Sequence, residues 1–134
     1  MQSVPVFLVI EDNLIDQLVT KQLLKKILDI DQIVIANNGK EGIEWLSIKK
    51  SSQSVIILLD IQMPIMNGFE FLEEFHKLDK EIRKETKIYV LSSTLDPEEI
   101  EHINKNNDVT GFLNKPFPIE EFRNKFELNN FKLL

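Results

Sequence analysis

The sequence predicts an α/β domain: a doubly wound parallel sheet of five strands, in the order 2-1-3-4-5, with helices on both faces. Three observations lead there. Apolar runs of strand length alternate with helical periodicity five times along the chain. The run from Val55 to Leu59 is apolar at every position, as in a strand covered on both faces. Right-handed crossovers gather such an alternation into one sheet, and the apolar first and third strands belong at its centre.

The first strand is VPVFLVI, from Val4, with Pro5 at its start or edge, and Glu11-Asp12 ends it abruptly. Leu14, Leu18, Leu23, Ile27 and Leu28 recur at helical spacing directly after the acidic pair. The second strand is Gln32 to Ala36. Asn38 with Glu41 then marks a capped helix whose inner side carries Ile43, Leu46 and Trp45, and the polar run Lys49 to Ser54 closes it. Asp60 terminates the third strand. Ile61 to Gly68 is a loop, because Pro64 has no ladder donor and Gly68 marks a tight backbone position.

Asn67 and Glu70 repeat the capping pattern before a helix with Phe71, Leu72, Phe75 and Leu78 inward. Lys87 to Leu91 is the fourth strand. Asp96-Pro97-Glu98-Glu99 starts a short fourth helix with Ile100 and Ile103, which ends in the polar stretch Asn104 to Asn107. Thr110 to Asn114 is the fifth strand, weaker in apolarity and so expected at an edge. Lys115-Pro116-Phe117-Pro118 leads into a terminal helix with Ile119, Phe122 and Phe126 inward.

Composition narrows the function. The 134 residues, 15.7 kDa, are 43% hydrophobic and 28% charged with 4 Gly and 5 Pro, which fits one domain over 1–134 with no output domain. There is no cysteine, so thiolate nucleophiles and thiolate-held metals are excluded. The net charge of -6 repels polyanions and argues against direct nucleic-acid binding. Lys49, Lys50, Lys21, Lys25 and Lys26 read as solvated helix faces. No apolar run approaches the roughly 20 residues that span a bilayer, and MQSVPVFLVIEDN lacks the basic start of a signal peptide, so the expectation is a cytoplasmic protein without membrane insertion.

Chemistry converges at the carboxyl ends of the strands: Glu11 and Asp12 after the first, Asp60 after the third, Ser92 and Ser93 after the fourth, Lys115 after the fifth. Singly, the acids read as helix-start and strand-end residues. Together they raise one another's pKa values unless a cation neutralises them, and the oxygen donor set suits Mg²⁺ best and accommodates Mn²⁺. His76 and His102 each fall in or near a helix, away from that edge. The reaction class that uses a cation, a lysine and a hydroxyl around a carboxylate is phosphoryl transfer onto Asp60, with Lys115 and Ser92 as electrostatic clamps.

With VIEDN, LLDIQMPIMNG, VLSST and KPF in this order, the chain resembles the receiver domain of two-component response regulators, of the single-domain chemotaxis-regulator kind, over nearly its whole length. The resemblance implies a flavodoxin-like fold. It implies that Asp60 takes a phosphoryl group from a phosphohistidine of a sensor histidine kinase or histidine phosphotransfer protein. Asp12 and Asp60 correspond to direct Mg²⁺ ligands, with the backbone carbonyl of Gln62 as a third and Glu11 acting through metal-bound water. Ser92 corresponds to the hydroxyl that turns to the phosphoryl group, Lys115 to its lysine partner, Phe112 to the aromatic switch, and Pro116 to a loop-fixing proline with a cis bond. Gln62 and Thr94 flank the path of the hydrolytic water.

The implied output surface combines the fourth helix, fifth strand and terminal helix. It would regulate a downstream target protein, or the domain would pass phosphate onward, and a phosphorylation-linked homodimer stays open. No enzymatic activity is expected beyond self-catalysed aspartyl phosphorylation and dephosphorylation. Two alternatives stand beside this reading: a receiver-like interaction scaffold that is never phosphorylated, and a small-molecule phosphatase with Asp60 as nucleophile. Gln62 stands where the second would need a general acid. A flavin carrier is disfavoured, because Glu-Asp-Asn-Leu after the first strand is no phosphate cradle.

Overall fold

The computed structural model describes residues 4–50 and 52–131, and side chains as far as residue 126. Met1 to Ser3 of the amino-terminal stretch and Ser51 of the polar run lie outside the described residues. The elements are β1 (Val6–Ile10), α1 (Leu14–Leu28), β2 (Ile33–Ala36), α2 (Gly39–Ile48), β3 (Val55–Asp60), α3 (Gly68–His76), α4 (Lys80–Lys84), β4 (Thr86–Ser92), α5 (Pro97–Asn104), β5 (Val109–Asn114) and α6 (Ile119–Phe131). All five strands are parallel, in the order β2-β1-β3-β4-β5.

Alternate residues of the central strands feed two cores, as the two-residue period of a strand requires. Leu8, Ile10, Ile57 and Leu59 join Leu46, Phe71, Phe75 and Ile103 on one face. Phe7, Val9 and Leu58 join Leu24, Tyr89, Phe122 and Phe126 on the other. Phe7 and Tyr89 both meet the Phe122 ring edge-on, with centroids 6.0 and 5.0 Å away.

Caps set where the helices begin. Asn13, Asn38 and Asn67 each accept the N–H of the residue three ahead, and Asn67 with Glu70 closes a full capping box. Asp96 with Pro97 starts α5 as expected. Register then aligns the strand ends. Ile10 pairs with Leu59, Asp60 with Leu91, and Ser92 with Asn114, so Glu11, Asp60, Ser92 and Lys115 leave the sheet at one edge.

The loop from Ile61 to Gly68 folds back against this edge. The Gly68 N–H donates to the Ile61 carbonyl at 2.8 Å, and a Cβ there would stand 2.7 Å from the Ile61 Cα. Only glycine fits that approach. Ile65 takes a left-handed φ of 68°, unusual for a β-branched residue, at an exposed turn position. The Met66 carbonyl accepts the Gly39 N–H at 3.1 Å, tying the loop to the start of α2.

Two expectations are corrected. The short helix α4 was not foreseen, so the fourth and terminal helices of the sequence reading are α5 and α6. Five residues hold less than one and a half turns, too few for an apolar stripe to register. The helix α1 forms where the spacing places it, with Leu14 and Leu18 75% and 58% exposed, Ile27 exposed, and Thr20 and Leu24 buried. Finally, Lys49 is not a solvated lysine. Its side chain is 3% exposed and its ammonium donates to the carbonyls of Lys50 and Gln53 and to Glu85 Oε1, the last at 2.8 Å.

Candidate functional site

Glu11, Asp12, Asp60, Gln62, Ser92, Ser93 and Lys115 line one open crevice of ≈ 190 Å³ at the carboxyl edge of the sheet. One carboxylate oxygen each from Glu11, Asp12 and Asp60 lies within 4.8 Å of the others. Glu11 and Asp60 are buried and Asp12 is exposed, so the cluster is dry on the sheet side and open to solvent on the other. Three carboxylate oxygens at that spacing form the donor set of a hard divalent cation with room left for water.

Lys115 crosses this group. Its Nζ stands 2.9 Å from Glu11 Oε1, 3.3 Å from Asp60 Oδ1 and 3.4 Å from Asp16 Oδ2. Asp16 was not foreseen. In sequence it is one polar residue in the first turn of a helix, and only the crossing of α1 past the β5–α6 loop brings it to the lysine. Burial works against the Lys115 charge, yet the hydrogen bond to Glu11 and the charges of Asp60, Glu11 and Asp16 outweigh it, raising the pKa above the ordinary lysine value.

Glu11 moves the other way from an ordinary carboxylate. Burial, reinforced by the nearby Asp60 charge, raises its pKa from 4.5 to about 7, against the hydrogen bonds from Lys115 and the Asn13 N–H. A raised folded-state carboxylate pKa contributes stability that is complete below the unfolded value and is lost as pH climbs through the folded one. In metal-free protein, the wild type is therefore expected to lose stability relative to Glu11→Gln between about pH 5 and about pH 8. Urea midpoints of both proteins across that range test it, and parallel profiles would refute it.

Ser92 is buried at the end of β4. Its Oγ accepts the Thr94 N–H at 3.1 Å, and its carbonyl accepts the Lys115 N–H at 2.9 Å. Asn114, also unforeseen, braces the same corner by donating from Nδ2 to the carbonyls of Ser92 and Thr94. Thr94 does not line the crevice; its Oγ1 accepts the Asp96 N–H at the start of α5. Gln62 is exposed on the rim and donates its N–H to Asp60 Oδ1 at 3.4 Å.

Phe112 lies away from the crevice, half-buried on β5 against the core that contains Ile103 of α5. The Lys115–Pro116 bond is cis, and Pro116 lines a neighbouring cavity beyond Lys115. His76 pairs with Asp108 and the His102 ring lies tilted against Phe69, with centroids 5.3 Å apart; neither histidine lines the acidic crevice.

Comparison with known proteins agrees with this geometry. The family model described as the response regulator receiver domain matches residues 7–127. The autoinducer 1 sensor kinase/phosphatase LuxN of Vibrio campbellii is 31% identical over 119 residues, which are 89% of this chain and 13% of that protein. The chain thus spans a small part of that relative's length. A response regulator receiver protein from Dyadobacter fermentans superposes with a TM-score of 0.85 at 28% identity, covering 92% of this chain and 96% of that one. The receiver domain of the Pseudomonas aeruginosa sensor histidine kinase PA1611, solved with a magnesium ion in its active-site cleft, gives 0.75 at 19% identity, over 93% and 96% of the two chains.

Proposed function

This chain belongs to the response regulator receiver family, a phosphoacceptor module of two-component signalling, and from that premise we propose that Asp60 is the residue that takes the phosphoryl group. The observation that carries the assignment is the placement of Asp60 Oδ1, 3.3 Å from the Lys115 ammonium and within the three-acid cluster. The donor is a phosphohistidine of a sensor kinase or phosphotransfer protein. An Asp60 oxygen attacks phosphorus, the P–N bond breaks, and its electron pair returns to the imidazole, leaving an acyl phosphate.

Asp12 and Asp60 would hold a Mg²⁺ ion directly, with the Gln62 carbonyl, and Glu11 through water; the magnesium bound by the PA1611 receiver domain supports the choice of metal. When bound, the ion would supply charge neutralisation for the transferring oxygens. Lys115 pairs with the same oxygens, and Ser92 turns its hydroxyl from the Thr94 N–H towards them. That turn frees the β4–α5 loop, and Phe112 moves inward beside it. The α5, β5 and α6 face is the surface so altered, read by a target protein. Gln62, exposed on the rim of the crevice, sets access for the water that ends the signal.

Incubation with Mg²⁺ and acetyl phosphate, read by intact mass and peptide mapping, tests the assignment. The expected product carries one alkali-labile phosphoryl group on the peptide containing Asp60. Label confined to another peptide, or none, would overturn it. Asp12→Asn removes one proposed ligand and is expected to weaken Mg²⁺ binding by about 10-fold or more and to slow labelling; unchanged affinity in a metal titration would remove Asp12 from the ligand set.

A further inference from the structure

Asp16 reaches Lys115 from outside the cation cluster. Its Oδ2 lies 3.4 Å from Nζ, nearly the distance of the Asp60 oxygen at 3.3 Å, so acceptor and Asp16 share one ammonium. The Asn13 cap, which accepts the Asp16 N–H at 2.9 Å, orients the turn of α1 that carries it. Asp16 is not among the three acids that converge within 4.8 Å. With Glu11 and Lys115 it lines both the crevice and an adjoining cavity of ≈ 290 Å³ that extends to Val19, Leu91, Pro116 and Phe117. Asp16 therefore acts on the lysine rather than on the ion site.

Resting on the phosphoacceptor reading above, we infer that Asp16 is a positioning residue that holds Lys115 in the unphosphorylated state and competes with the phosphoryl group for it. An ammonium has three protons to donate. The phosphoryl group brings three strong acceptors and a charge of about -1.5 to -2. Glu11, Asp60 and Asp16 already surround it, one carboxylate for each proton, so a phosphoryl oxygen gains a proton only where one of them yields. The contact that yields is the longest and most exposed of the three, since the Asp16 side chain is 48% exposed while those of Glu11 and Asp60 are 6% and 8%. Freeing Asp16 leaves a carboxylate without its cation beside a new anion. Asp16 thus biases the domain towards rest.

The test uses the full chain, saturating Mg²⁺ and beryllofluoride as a stable phosphoryl mimic. Asp16→Asn is expected to bind the mimic about threefold more tightly than wild type, the scale of one partly exposed ion pair, and Asp16→Glu to restore wild-type affinity. In a Lys115→Gln background the Asp16→Asn gain is expected to vanish, because the coupling runs through the lysine. Nitrogen-15 NMR of the Lys115 ammonium gives a second reading that needs no lysine variant: Asp16→Asn should shift the resonance in the resting protein and leave it unchanged in the mimic-bound one. Equal affinities in wild type and Asp16→Asn, an equal gain in the Lys115→Gln background, or an unshifted resting resonance would each overturn the role of Asp16. A wild type that takes up neither the mimic nor the acetyl-phosphate label would instead overturn the phosphoacceptor reading on which it stands.

Discussion

Asp60→Asn is expected to acquire no phosphoryl group at residue 60 under conditions that label the wild type. The amide keeps the size of the side chain but lacks the carboxylate oxygen that must bond to phosphorus, so the loss should be complete rather than graded. The fold should survive. Asp60 closes β3 at a crowded acidic edge, and removing its charge relieves Glu11, whose pKa it helps to raise. Equal or higher thermal stability is therefore expected alongside the lost label. Intact mass after acetyl phosphate treatment and thermal unfolding of the same samples read both outcomes, and label mapped to residue 60 of the variant would defeat the assignment.

Lys49→Ala is expected to cost about 3 kcal/mol of stability, the scale of breaking a buried ion pair. Lys49 follows α2 and reaches Glu85 at 2.8 Å and the Gln53 carbonyl at 2.9 Å, which ties the turn before β3 to the residue before β4. Alanine leaves Glu85 without its cation where its side chain is only 21% exposed. Lys49→Met keeps most of the stem and separates lost charge from lost packing. Because this staple lies at the opposite edge of the sheet from the crevice, labelling of Asp60 should persist in whatever fraction remains folded. Urea unfolding measures the effect, and a change within about 0.5 kcal/mol would class Lys49 with ordinary surface lysines.

Much of the architecture is legible in the sequence. Uninterrupted apolarity in Val55 to Leu59 reflects a strand with no solvent face, and β3 is buried from end to end. Asn38, Asn67 and Asp96 announced their helices because capping is local chemistry, satisfied within three residues. The acids were legible for the same reason: a buried strand admits a charge only where it ends, so Glu11 and Asp60 mark strand ends as surely as the apolar runs mark strands. The helix α1 was legible from its spacing, but which of its sides faces the sheet was not. Leu14, Ile15, Leu18 and Val19 stay exposed, and Thr20 with Leu24 is what the sheet covers.

By itself the sequence determined the order of the strands and of every helix but α4, the parallel sheet and the strand-end residues that arrive at its carboxyl edge, since these follow from periodicity, capping and the cost of burying charge. Which charges meet was decided only by the tertiary structure. Asp16 and Glu11 are 99 and 104 positions from Lys115, and Glu85 is 36 from Lys49. A pairing energy depends on separation and burial in space, and neither can be read from the residue types along the chain.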